Sequence, residues 1–182
     1  MTSTETVPAE RATTVQVSRI FIKAPAERIW QAITDPAWNG RYGYGAAADY
    51  DLSPGGAYRS YASEGMREAS VAMGYPPPPD VIVDGEVVLA EPPHRLVQTW
   101  RMLMDPTCGA EGFSRLTYDI AGPGPDGVCR LTVTHELGGM PATAALVRGS
   151  EELGAPGGGG WDWVLSDLKT LLETGEAFSQ PA

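Results

Sequence analysis

The sequence predicts an α+β fold in which a curved antiparallel sheet is closed on one side by a single long C-terminal helix. Three features of the 182-residue chain carry that prediction. Short runs rich in β-branched and aromatic residues follow one another between turn signals. Three of these runs keep their apolar residues at one parity. The closing segment GGWDWVLSDLKTLLETG, residues 159–175, carries an apolar stripe at helical spacing.

In chain order, residues 1–14 are polar and are read as a disordered tail, with one domain over 15–178. VQVSRIFIKAP opens the structure as a strand whose apolar parity shifts between Val17 and Ile20, so a bulge or a strand apolar on both faces is expected. APAERIWQAITDP follows as a short amphipathic helix. Pro25 suits its first turn, Ile29, Trp30 and Ile33 share a face, and Asp35-Pro36 ends it. Pro54-Gly55-Gly56 then turns the chain into the strand AYRSY.

Four further strands are VIVDGEVVLAE, RLVQTWRM, SRLTYDI and CRLTVTHEL, separated by Glu91-Pro92-Pro93 and by the Gly/Pro/Asp cluster at residues 122–127. Alternation puts Leu96, Gln98, Trp100 and Met102 on one side of their strand, Leu116, Tyr118 and Ile120 on the next, and Leu131, Val133, His135 and Leu137 on the last. The opposite parity holds Arg95, Arg101, Arg115, Asp119 and Arg130. In the closing helix, Trp161, Val164, Leu165, Leu168, Leu171 and Leu172 form the stripe, and Asp162, Ser166, Lys169 and Glu173 point away. Fourteen residues from Trp161 to Thr174 give about 21 Å, enough to lie across a sheet. The GAPGGGG run before it reads as a flexible spacer.

The net charge of −10 and only 13 Lys and Arg exclude a nucleic-acid partner. No apolar run approaches the roughly 18 residues of a membrane span, and the N-terminus lacks a leader pattern, so no membrane insertion and a cytoplasmic location are expected. Cys108 and Cys129 read as free buried thiols. With His94 and His135 they show no paired short spacing for a metal, and no nucleophile motif or cofactor signature is present. Glu64 and Glu68 read as a solvated helix face, and His94, at a turn, as solvent-facing.

The stretches IKAPAERIWQAITDP, SPGGAYR, VDGEVVLAEPPHRLVQTWR, SRLTYDI, CRLTVTHEL and GGWDWVLSDLKTLLETG, in this order, resemble the START-like helix-grip superfamily (SRPBCC). The branch is the one named after the activator of the heat-shock-protein-90 ATPase. The resemblance implies a Bet v-type fold that grips an apolar molecule between sheet and helix. Its members include lipid carriers, polyketide cyclases, co-chaperone domains and proteins that sequester reactive natural products. Two passages depart from the branch, residues 62–80 and 138–160. Met66, Ala69 and Met73 on one segment, and Ala142, Ala145, Leu146 and Leu153 on the other, are expected to form amphipathic lids.

The expected ligand wall combines apolar surface with polar tips. From the sheet it takes Tyr58, Gln98, Trp100, Met102, Tyr118 and His135. From the lid and the closing helix it takes Met66, Met73, Trp161, Leu165 and Leu168. The expected partner is a hydrophobic small molecule, aromatic or polyketide-like, held for sequestration, self-resistance or transport in a natural-product pathway. His135 is the one weak catalytic candidate. A cyclase or aromatase, with Tyr118, Arg101 or Arg115 assisting enolisation, is the first alternative, and a chaperone-ATPase-activating module the second.

Overall fold

The computed structural model describes residues 14–152 and 158–179. Its elements are β1 (Val15–Ile22), α1 (Ala26–Thr34), α2 (Pro36–Asn39), β2 (Ala48–Tyr50), β3 (Ala57–Tyr61), α3 (Glu64–Ala72), β4 (Val81–Glu91), β5 (Arg95–Met102), α4 (Pro106–Glu111), β6 (Ser114–Ala121), β7 (Cys129–Glu136), α5 (Pro141–Arg148) and α6 (Gly160–Thr174). The strands form one seven-stranded curved sheet in the order β1-β7-β6-β5-β4-β3-β2, antiparallel at every pairing. Only β1 joins out of sequence, beside β7. The α+β fold class is therefore the expected one.

The pairing register explains which face is inner. Val87, Gln98, Leu116, His135 and Gln16 lie opposite one another across five strands, so an inward Gln98 puts all of them inward. β1 pairs with β7 without interruption from Val15 to Ile22, so the strand has no bulge. It is two-sided: Gln16, Ser18, Ile20 and Ile22 face in, while Val15, Val17 and Phe21 stay exposed. The tail expected over residues 1–14 lies outside the described residues except for Thr14. That residue is tied down, its carbonyl accepting from Leu137 N at 2.7 Å.

The inner face is covered by α6. Leu165, Leu168 and Leu171 are fully buried in the core, each contributing about 1.5–3 kcal/mol. Trp161, Val164 and Leu172 pack against it half-buried. Polar contacts seat the helix along β1. Ser18 Oγ donates to Asp162 (3.0 Å), Lys23 N donates to Glu173 (2.8 Å), and Lys169 Nζ donates to the Phe21 carbonyl.

Asp167 interrupts the stripe. It is 0% exposed, and its carboxylate accepts Gly43 N (2.8 Å), Phe178 N (2.6 Å), Ser179 N (3.3 Å) and the Ser179 hydroxyl. The helix is thus bonded to the loop after α2 and to the chain beyond its own end. A second polar tie fixes the start of β2: buried Asn39 donates to the carbonyls of Ile33 and Ala48 and accepts from Ala48 N (2.8 Å).

Two local readings are corrected. Glycines 158–160, at the end of the expected spacer, are packed. Gly160 has φ +61°, and a Cβ on it would lie 2.3 Å from the Val147 carbonyl oxygen, so the chain crosses the end of α5 at glycine distance. Residues 153–157, including Leu153, lie outside the described residues. On α5 the inward residues are Thr143, Ala144 and Val147, not Ala145 and Leu146, which are exposed. The Glu111 carboxylate sets this rotation by accepting from Ala142 N, Thr143 N and Thr143 Oγ1 at 2.7–2.8 Å.

Asp167→Ala leaves the Gly43, Phe178 and Ser179 donors without their acceptor and is expected to cost about 2–4 kcal/mol. Chemical denaturation of the variant measures it. A loss below about 0.5 kcal/mol would mean the latch is not holding α6.

Candidate functional site

The inner face of the sheet gathers an aromatic cluster with polar tips. β5 contributes Gln98 and Trp100, β6 Tyr118, β7 His135, β3 Tyr58 and β2 Tyr50. Tyr42 enters from the loop after α2 and Trp161 from the start of α6. The rings of Tyr50 and Tyr58 lie 4.7 Å apart and tilted. Trp100 meets His135 edge to face at 5.1 Å, and Trp161 meets His135 at 6.0 Å and Tyr118 at 6.1 Å in the same manner. Gly85, paired with Tyr58, adds no side chain to this face. A Cβ there would sit 2.0 Å from the Thr99 carbonyl oxygen.

His135 is wholly satisfied. Its Nδ1 accepts from Trp161 Nε1 (3.2 Å), and its Nε2 lies 2.7 Å from Ser114 Oγ. Ser114 Oγ donates its own hydrogen to the Trp100 carbonyl (2.9 Å), so it accepts from His135, and the ring is the neutral Nε2–H tautomer. In this arrangement the imidazole cannot take a proton from Ser114. The pair is therefore not an activated nucleophile, whatever its short distance suggests. Burial alone pulls the His135 pKa down from 6.5 to about 4.

Gln98 is the opposite case. It is 0% exposed, and neither its amide nitrogen nor its amide oxygen completes a hydrogen bond. The Tyr50 and Tyr58 hydroxyls lie close enough for Gln98 to favour their ionised forms slightly, yet no pair reaches hydrogen-bond geometry. Burial holds all four phenols neutral. It raises Tyr42, Tyr50 and Tyr118, each further raised by neighbouring phenols, and pushes Tyr58 up to about 12. Tyr42 donates to the Ala32 carbonyl at 3.2 Å.

The remaining expected residues divide by place. Leu165, Leu168 and Met102 are buried core. Met66 is half-buried against the core, whereas Met73, 58% exposed at the end of α3, lies away from it. Helix α3 carries no buried residue. Its side-chain bonds run to its own return segment: Arg67 to Asp80 (2.9 Å) and to the Pro78 carbonyl, and Ser70 to the Pro76 carbonyl. Arg101 is held in two bonds by Asp84 (2.7 and 2.9 Å) with Phe113 against its guanidinium, and Arg115 pairs with Glu136. Both sit at the parity opposite to Gln98 and His135. That geometry gives neither arginine a place beside Tyr118.

Cys108 and Cys129 are free and buried, with burial raising both thiol pKa values. Among the described residues no three His, Cys, Asp or Glu side chains converge as a metal site, and no helix is long and apolar enough to cross a membrane. Two concavities lie outside the cluster. One of about 590 Å³ is on the outer sheet face among Arg19, Phe21, Asp119, Arg130 and Thr132. The other, of about 510 Å³, lies beside the start of α6 near Arg148, Trp163 and Phe178.

Sequence reasoning did not single out Tyr42, Tyr50, Ser114 or Asp167. Parity could have found Ser114, which lies on the same side of its strand as Leu116 and Tyr118. No periodic signal marks Tyr42, in the loop.

The His135 shift has a definite sign. The unfolded chain takes up a proton near pH 6.5 and the folded protein only near 4, so stability is fully present above pH 6.5 and is lost as the pH falls towards 4. The difference corresponds to roughly 3 kcal/mol. Denaturation of the protein and of His135→Gln across pH 4–7 should show the gap between them narrowing by about that amount on acidification. Parallel curves would contradict the assignment.

The comparisons place the chain. No curated protein matches it by sequence. Protein MLL2253 from Mesorhizobium loti is 20% identical with a TM-score of 0.60, over 87% of this chain and 96% of that one. DynU16, a protein of the dynemicin biosynthetic locus, is 21% identical with a TM-score of 0.60, over 90% of this chain and 48% of that one. CalU16 from Micromonospora echinospora matches in its solution structure at 18% identity and a TM-score of 0.55, over 96% and 81% of the two chains. In its crystal structure the match is 23% identical with a TM-score of 0.47, over 72% of this chain and 65% of that one. The matches with TM-scores of 0.55 and 0.60 establish the helix-grip fold. The family model for Activator of Hsp90 ATPase homolog 1-like protein matches residues 23–173, and with the sheet and closing helix in place the chain belongs to that family.

Proposed function

We propose that the protein binds an apolar, aromatic or polyketide-like small molecule between the sheet and α6, and holds it without transforming it. The observation that carries this reading is the buried Gln98 amide, unpaired at both atoms among tyrosine and tryptophan rings. A core built only for packing would fill that position with an apolar side chain, because an unpaired buried polar group is destabilising. The place of DynU16 in a biosynthetic locus supports a natural-product setting, with sequestration, self-resistance or transport as the proposed task.

The same cluster supports a non-catalytic role. Among the described residues, His135 has both nitrogens engaged, the arginines sit at the opposite parity, and Asp167 is saturated, which leaves no imidazole or carboxylate free to act as a base on the inner face. A ligand hiding about 400 Å² of apolar surface gains on the order of 10 kcal/mol gross. Association costs of about 4–15 kcal/mol leave micromolar affinity within reach. Tyr50, Leu52 and Met66 pack half-buried against the core, and the proposal takes the ligand in beside them. Helix α3, bonded to its own return segment, is the lid.

Thermal melts with neutral polycyclic aromatics test this reading. The melting temperature should rise with ligand concentration, as binding to the folded state alone requires. The bound compound should be recovered chemically unchanged, and Trp161→Ala should weaken the shift at least about tenfold in concentration. No shift with any compound would contradict binding, and a converted product would contradict the non-catalytic role.

A further inference from the structure

We propose that Gln98 determines which ligand the interior accepts, by pairing with a neutral hydrogen-bond donor and acceptor held side by side on a flat aromatic frame, as in a lactam. This rests on the binding function proposed above and names the chemistry its ligand carries.

Gln98 sits mid-row on the inner face, opposite Val87 on one side and Leu116 on the other. Those neighbours offer it no polar atom, and α6 covers the face with leucines. A primary amide presents a donor and an acceptor close together in one plane. The group that satisfies both at once presents the mirror arrangement, an N–H or O–H beside a C=O. The Tyr50 and Tyr58 hydroxyls lie nearby but leave both amide atoms unpartnered.

Charge narrows the class. Among the described residues the buried polar ones are Asn39, Ser60, Gln98, Ser114, Thr117, His135, Thr143 and Asp167, with no Lys or Arg, so an anionic ligand finds no counter-charge there. Asp167, the one buried carboxylate among the described residues, is saturated by Gly43, Phe178 and Ser179, so a cation finds none either. The ligand group at Gln98 is therefore neutral. Tyr58 lies near Gln98, and Trp100 shares its strand face two residues on, so aromatic surface suited to a planar frame lies beside the amide.

Tryptophan fluorescence titration decides the matter with two sets of probes. One is 2-quinolone, N-methyl-2-quinolone and naphthalene; the other is phenanthridin-6(5H)-one, its N-methyl derivative and phenanthrene. With the unaltered protein, the N–H lactam of at least one set should bind about tenfold or more tighter than its N-methyl and hydrocarbon counterparts. In Gln98→Leu that preference should vanish while the hydrocarbon still binds, and melting of the unliganded variant should occur at a temperature no lower than that of the parent. Equal binding of all members of both sets, or a preference that survives in Gln98→Leu, overturns the role of Gln98 and leaves apolar binding standing. Equal binding is also what an amide satisfied only by a resident water would give. No binding by any probe overturns both proposals.

Discussion

The carboxylate of Asp167 is where three separate stretches of chain meet, and the interior depends on their meeting. A buried charge survives only when donors replace the water it has lost. Here the donors come from the loop after α2 and from the chain past the end of α6. The contact does more than steady a helix. Beside it, Tyr42, the neighbour of Gly43, is in the core, and at the start of the same helix Trp161 meets His135 and Tyr118. The sheet supplies a concave face, and the helix on Asp167 gives that face its cover.

Within the covered space two polar side chains have opposite fates. His135 closes a chain from the Trp161 indole through the imidazole and Ser114 to the Trp100 carbonyl, in which each link has its proper donor and acceptor. Such a chain fixes the rings around it and leaves nothing for a substrate. Gln98, on the same row two strands away, has the same depth and none of the closure. The contrast separates a side chain whose polar atoms are all paired from one whose amide is left unpaired, and the binding proposal rests on that difference.

Period-two alternation made the sheet's inner face legible, because register alone decides which side each residue of β5, β6 and β7 takes. The leucines of α6 were legible by the same logic at period 3.6. Asp167 was not, since a carboxylate inside an apolar stripe looks like a solvated residue until the loop and tail that bond it are in place. The facing of α5 was misread for a related reason: Glu111, thirty residues upstream, sets it through bonds no local pattern contains. Glycines 158–160 looked like slack in the chain and are a close crossing, which composition cannot distinguish. Within the aromatic cluster, Gln98, Trp100, Tyr118 and His135 lie on the face that parity gave them and Trp161 on the stripe, while Tyr42 and Tyr50 reach the cluster by tertiary folding alone.

The proposal as a whole is that a small aromatic molecule binds beside Gln98 on the inner face of the sheet. The most direct measurement is a two-dimensional ¹H–¹⁵N spectrum recorded during titration with 2-quinolone, following the side-chain amide of Gln98 and the indole N–H signals. The account predicts that the Gln98 amide and the Trp100 and Trp161 indoles shift together and saturate together, while backbone signals of Phe21 and Arg130 on the outer face stay fixed. Shifts confined to the outer face, or to Trp163 beside Phe178, with Gln98 unmoved, would contradict it.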